Sequence, residues 1–179
     1  MKKVLREILS TSIYILFVLC AVYLLIHFVG QRTQVSGSSM EPKLSNDDNL
    51  IVDKISYRFH DPERYDIIVF PFRHEEDTFF IKRIIGLPGE TVKIDEKGNI
   101  LIDGEVLTEG YGKEVINNPG RAYEEIQLAD NEYFVMGDNR NNSTDSRAPS
   151  VGNITREEII GRAWLRIWPL DKFGFIKHR

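Results

Sequence analysis

Cysteine is almost missing from this sequence of 179 residues: Cys20 is the only one. That excludes an intrachain disulfide framework and, since Cys20 sits in an apolar run, any cysteine-based zinc site in the remainder of the chain. A strong excess of charge of one sign is also lacking. The 23 basic residues are outnumbered by 27 acidic ones, for a net charge of -4, and no long basic block occurs. The electrostatic footprint of a nucleic-acid binder is therefore missing. Neither an internal repeat nor a heptad run is visible, and the length leaves no room for a second large domain beside one of about 150 residues.

What is present first is apolar. Ile8 to Val29 carries no formal charge when His27 is neutral, and as a helix it would span about 33 Å, enough for a bilayer core. A cleavable signal peptide would have a shorter core and a small-residue exit, whereas this run ends Ile26-His27-Phe28-Val29-Gly30. Leu19 is too large to precede a lipid-modified Cys20. Lys2, Lys3 and Arg6 precede the run and only Arg32 and Lys43 follow it closely, so the positive-inside rule puts the N-terminus in the cytoplasm. The expected organisation is a cytoplasmic segment 1–7, a single transmembrane helix 8–30 and an extracytoplasmic domain 31–179.

Beyond the anchor the pattern is that of strands. Asn49 to Ile55 alternates, Tyr65 to Phe70 is a near-continuous apolar run stopped by Pro71, and Thr78 to Ile85 is halted by Gly86-Leu87-Pro88-Gly89. Shorter strands are expected at 91–94, 100–102 and 105–107, with Asp103-Gly104 as a hairpin turn. The segment 108–123 fades into Gly, Asn and Pro, which suggests a mobile excursion or a small lobe, of about 91–132. Strands return at 125–128 and 133–136, followed by a polar loop from Gly137 to Arg147. Thr155-Arg156-Glu157-Glu158 is a capping box that starts a short helix for Gly161 to end, and Ala163 to Trp168 is the last strand. The fold class is mainly β on one membrane helix. On that last strand Trp164, Arg166 and Trp168 share a face, either toward lipid headgroups or filling the core.

Two segments could carry chemistry. Ser36-Gly37-Ser38-Ser39-Met40-Glu41-Pro42 presents a hydroxyl at Ser39 on a tight loop, which is also how an ordinary turn looks. A serine nucleophile needs a base. His27 lies in the apolar run, His178 next to the C-terminus, and His60 and His74 in charged turns, so histidine is a poor candidate. Lysine serves if burial lowers its pKa toward neutrality. Lys82 shares a strand face with Phe80 and Ile84, an apolar row that would supply that burial, although a solvated edge is the ordinary place for a strand lysine. Asp138-x-Arg140-x-Asn142 lacks the residues of a calcium loop. Asp145 and Arg147, among Asn and Ser residues, could brace a wall of a site, with Ser143 available to orient a neighbouring amine.

Taken together, the apolar anchor, Ser38-Ser39-Met40-Glu41-Pro42-Lys43-Leu44, Tyr65-Asp66-Ile67-Ile68-Val69-Phe70, Phe80-Ile81-Lys82-Arg83-Ile84-Ile85-Gly86-Leu87-Pro88-Gly89-Glu90 and Gly137 to Arg147 resemble the bacterial type I signal peptidases, in their compact Gram-positive-like form. The resemblance implies a Ser-Lys serine endopeptidase with a β-rich core related to LexA. It implies that the enzyme removes signal peptides from exported preproteins after Ala-x-Ala type sites, without metal or organic cofactor. Ser39 matches the nucleophile, Lys82 the general base, Ser143 the serine that orients the lysine, and Asp145 with Arg147 the supporting ion pair. Met40, Phe80 and Ile81 are the expected substrate-pocket walls, from their bulk beside the serine and the lysine. Lys43 stands where the family usually has threonine, Tyr65 where it has glycine, and Gly37 where some relatives carry an oxyanion-hole hydroxyl. The expected partners are signal peptides and membrane lipid, with no nucleic acid. Rival readings are a self-cleaving LexA-like protein and a non-catalytic, membrane-tethered β binding module.

Overall fold

The computed structural model describes residues 2–24 and 30–178; the end of the apolar run, 25–29 with His27, lies outside the described residues. Helix α1, Lys2–Leu24, begins six residues ahead of the apolar run because Lys, Arg and Glu are themselves good helix formers. Its large apolar side chains, among them Ile8, Leu16 and Phe17, are exposed on every side. The stretch Arg6–Tyr23 is long and apolar enough to cross a membrane.

Twelve strands follow: β1 (Gly30–Gln34), β2 (Asn49–Asp53), β3 (Ile67–Pro71), β4 (Phe79–Gly86), β5 (Thr91–Ile94), β6 (Ile100–Ile102), β7 (Glu105–Val106), β8 (Ile126–Gln127), β9 (Glu132–Met136), β10 (Ile154–Thr155), β11 (Gly161–Trp168) and β12 (Gly174–Phe175). The larger sheet runs β1-β2-β11-β3-β4-β9-β10 with β12 beside β11, and the smaller runs β7-β6-β5-β8. Pairing is antiparallel throughout. At the β6–β7 hairpin both turn residues have positive φ, 50° at Asp103 and 81° at Gly104, which is the backbone that an Asp-Gly pair adopts most readily.

Three places depart from expectation. β1 is a strand of Gly-Gln-Arg-Thr-Gln with no apolar alternation; it exists because it pairs along its length with β2, from Gly30 opposite Asp53 to Gln34 opposite Asn49. Gly30, expected to close the helix, opens this strand instead, and a Cβ there would lie 2.9 Å from Ile51 Cγ2. The capping box is real, with the Thr155 amide donating to Glu158 Oε2 at 2.8 Å, but it caps only a single 3-10 turn, 156–158. Gly161 does not end that turn; it opens β11, where the Asp53 carbonyl comes so close that a Cβ would lie 2.3 Å from its oxygen.

The apolar faces bury three clusters. One lies between the sheets and includes Ile85, Val92, Ile94, Leu128 and Phe134. A second gathers Ile68, Phe70, Ile84 and Val135, with Phe80 packed against it. The third, formed by Val35, Met40, Leu44, Leu50, Ile67 and Ala163, lies beneath the serine loop. The fold is therefore a mainly β domain preceded by one apolar helix.

Candidate active site

The loop carrying Ser39 joins β1 to β2, and its shape follows from its composition. Gly37 turns the chain at φ 88°, and its amide donates to Asn46 Oδ1 at 2.7 Å. The chain then coils tightly, with the Glu41 amide on the Ser38 carbonyl at 3.1 Å and the Leu44 amide on the Met40 carbonyl at 2.9 Å. Met40 and Leu44 are both buried in the third cluster and anchor the coil. This corrects one expectation. Met40 is only 1 % exposed and does not line the groove, because its side chain serves as the loop's apolar root.

On β4 the alternation works as the sequence suggests. Lys82 lies between Phe80 and Ile84 on one face and is 4 % exposed. Its Nζ donates to Ser39 Oγ and to the Ile81 carbonyl, both at 2.9 Å, and sits 4.9 Å from the centre of the Phe80 ring. Burial pushes the Lys82 ammonium down to about 8, against the opposing pull of the Asp145 charge.

The loop 137–147 forms the third side. Asp145 is fully buried, pairs with Arg147 at 2.8 Å and accepts the Gly137 amide at 3.1 Å. Arg147 also donates to the carbonyls of Arg140 at 2.6 Å and Asn118 at 3.2 Å, which ties the loop to the smaller lobe. Ser143 faces the same groove as Ser39 and Lys82, but its buried Oγ makes no hydrogen bond, so the expected bond to the amine is not formed in this structure. Gly137 is indispensable here: a Cβ on it would lie 2.4 Å from both Ser143 Oγ and the Ser39 carbonyl oxygen.

Several residues escaped sequence reasoning. The Asn139 amide donates to the Ser39 carbonyl at 3.0 Å, Asn139 Nδ2 to the Ser38 carbonyl at 3.1 Å and Asn142 Nδ2 to Ser38 Oγ at 2.9 Å. Beneath them Arg83 and Asp138, both essentially unexposed, form a bidentate pair at 2.7 Å, and Arg83 also donates to the carbonyls of Tyr65 and His178. The signal for Arg83 was its place in the face Phe79, Ile81, Arg83, Ile85, where a charge demands a partner. The Ser39 amide has no acceptor among the described residues and is free for a ligand.

The resulting groove has a volume of about 350 Å³. Residues 33–39 form one wall, Val69 and 79–82 the other, and 142–144 the end. Phe80 and Ile81 line it, and Val35, Val69 and Phe79 add to its apolar character.

Comparison with known proteins gives the family of the chain. Residues 8–168 match the family described as signal peptidase, peptidase S26. Probable signal peptidase I-2 of Synechocystis sp. is 42 % identical over 155 residues, 83 % of this chain and 68 % of that protein. Signal peptidase I P of Bacillus subtilis subsp. natto is 35 % identical over 173 residues, 91 % of this chain and 90 % of that protein. A crystal structure of a signal peptidase I from Enterococcus faecalis V583 aligns at 30 % identity with a TM-score of 0.45, covering 57 % of this chain and 97 % of that one. On the match over most of its length, this chain belongs to the signal peptidase family, peptidase S26, and is a serine endopeptidase of that family.

Proposed function

We propose that the enzyme cleaves signal peptides from secretory preproteins through a Ser-Lys dyad, with Ser39 as nucleophile and Lys82 as general base. The observation that carries this is the 2.9 Å contact between Lys82 Nζ and Ser39 Oγ, made by an amine whose burial lowers its pKa to about 8. At pH 7 about a tenth of such an amine is neutral, against less than about a thousandth for a free lysine near 10.4. Neutral Nζ accepts the Ser39 proton as Oγ attacks the scissile carbonyl, and the unpaired Ser39 amide donates to the oxyanion. The proton then passes to the leaving amine, and the same Nζ activates the water that releases the acyl-enzyme. Asp145 and Arg147 hold the loop that closes the groove, and Ser143 is the residue that orients the amine as substrate enters.

The substrate lies extended between the 33–39 wall and the edge of β4 around 79–82, pairing its backbone with both. Successive side chains then alternate, so the residues one and three positions before the cut enter the groove against Val35, Val69, Phe80 and Ile81, and the middle one faces away. Walls this bulky leave room for alanine, which accounts for an Ala-x-Ala preference. In the membrane α1 from Ile8 onward is the span, with residues 1–7 cytoplasmic and the catalytic domain outside. The direct test is hydrolysis of a signal-sequence peptide by the purified full chain and its Ser39→Ala form, with the cut located by mass. Cleavage by wild type alone, directly after a small residue, is expected; equal cleavage by Ser39→Ala, or none by either, would reject the proposal.

A further inference from the structure

Beside β12 lies a second recess of about 330 Å³, separate from the groove at Ser39. It is lined by 42–43, Arg166 and 172–177, so that Lys43, Arg166, Lys172 and Lys177 converge on it. Arg166 is spoken for, with Asp48 at 3.1 Å and the Lys43 carbonyl at 2.5 Å. Among the described residues Lys43, Lys172 and Lys177 have no ion-pair partner, and Lys172 reaches only Ser45 Oγ at 3.4 Å. Asp171 is the one carboxylate between 166 and 179. The Lys43 ammonium is held below its ordinary value by burial first and then by Arg83, with smaller pressure from Arg166 and Lys177, while Asp138 opposes them. Among the described residues the recess thus gathers four cations, of which only Arg166 has an ion-pair partner.

Its surroundings are apolar and uncovered. Phe173 and Phe175 on its rim are exposed, as are Leu170, Trp168 and Trp164, whose ring lies 5.4 Å from that of Phe175. Cations beside unpaired aromatic rings match the boundary between headgroups and acyl chains, where rings sit at headgroup depth and lysine stems reach toward phosphate. Position supports this occupant. Only residues 25–29 separate α1 from β1, which pairs with β2, which pairs with β11. That tether spans at most about 20 Å when extended.

We propose that the recess between 42–43 and 172–177 holds the phosphate of an anionic phospholipid headgroup, with the flanking rings in the acyl boundary; this rests on α1 being the membrane anchor. Lys43 lies four residues beyond Ser39 on the same loop. A bound headgroup would fix the reactive serine at the depth of the bilayer surface.

Trp164 and Trp168 are the only tryptophans, so fluorescence reports on this edge alone. The full chain is placed in nanodiscs bounded by a polymer belt that contains no tryptophan, of fixed composition, mainly phosphatidylcholine with a minor fraction of phosphatidylglycerol. Bromine is carried on the acyl chains of either the anionic lipid or an equal amount of phosphatidylcholine. Brominated phosphatidylglycerol is expected to quench at least about twofold more strongly, since each lysine near the surface favours anionic lipid. Replacing Lys43, Lys172 and Lys177 together by glutamine should equalise the two, and replacing them by arginine should keep the difference. Equal quenching in wild type, no quenching by either lipid, or selectivity that survives the glutamine variant overturns the proposal. Turnover of a signal peptide in the same discs tests the peptidase reading independently: selective quenching without turnover strikes that reading and leaves this one standing.

Discussion

A single buried amine carries the chemistry proposed for this enzyme, and its environment makes two opposed predictions. The activity of the wild type should rise with pH through about 8, because the base must be neutral and Lys82 is displaced to that value. A pH-rate profile of peptide cleavage whose ascending limb lies near 10.5 would contradict a buried base. Lys82→Arg, whose guanidinium keeps its proton, should lower turnover by at least about a hundredfold. The stability consequence has the other sign. Above the unfolded value of 10.5 the amine is neutral in both states and burial costs nothing, whereas below about 8 it is charged in both and the folded state bears the full penalty. At 1.36 kcal/mol per pH unit this comes to about 3 kcal/mol. Lys82→Met should therefore abolish turnover and still raise the denaturation midpoint at pH 7, with the gain shrinking between pH 8 and 10.5. Unfolding curves of the two forms across that range check this.

At the scale of elements, what matters is how turns and strands set the walls of the site. Tyr65 leads into β3 with φ 75°, a conformation that costs an L residue about 1–2 kcal/mol. It is held there by its amide on the Ile84 carbonyl, by Arg83 on its own carbonyl, and by its ring 4.8 Å from that of Tyr111. Glycine adopts this backbone without that cost. Tyr65→Ala loses the ring and keeps the strain, while Tyr65→Gly loses the ring and relieves it. The glycine variant should therefore be the more stable of the two by about 1 kcal/mol in chemical denaturation, against the usual order of the two residues. The strand edges flanking the groove make a separate prediction about substrate. A peptide series with leucine at the first or third position before the cut should lose roughly five-fold to hundred-fold in kcat/KM, the cost of overpacking, and leucine at the second should change little. Equal sensitivity at all three positions would sink extended pairing.

For the whole molecule the open question is how the domain stands on its helix. With residues 1–7 inside and the domain outside, protease added to intact spheroplasts should digest the chain beyond residue 30 and spare a fragment containing α1. Full protection until the membrane is permeabilised would reverse the topology. The tryptophans, which sequence left between core and surface, are 41 % and 54 % exposed, so filling the core is excluded for both. They project from β11, which pairs edge to edge with β2, β3 and β12 in the larger sheet.

Sequence by itself determined whatever depends on a local window. The apolar run behind α1, the alternation that puts Lys82 between Phe80 and Ile84, the Asp-Gly hairpin and the polar loop 137–147 are all features of period or turn chemistry, which neighbouring residues specify among themselves. Tertiary structure alone decided the rest. β1 is a strand only because β2 offers it a partner. Met40 is a core residue because the loop coils over Leu44 and Leu50, whereas a serine-adjacent methionine seen in sequence could equally face substrate. Ser39 and Lys82, 43 positions apart, meet because β4 lies beneath the loop, and Arg83 finds Asp138 across 55 positions for the same reason. The physical reason is common to all of these: a buried charge or an unpaired strand edge states that it needs a partner, but which distant residue meets that need depends on the pairing of whole strands.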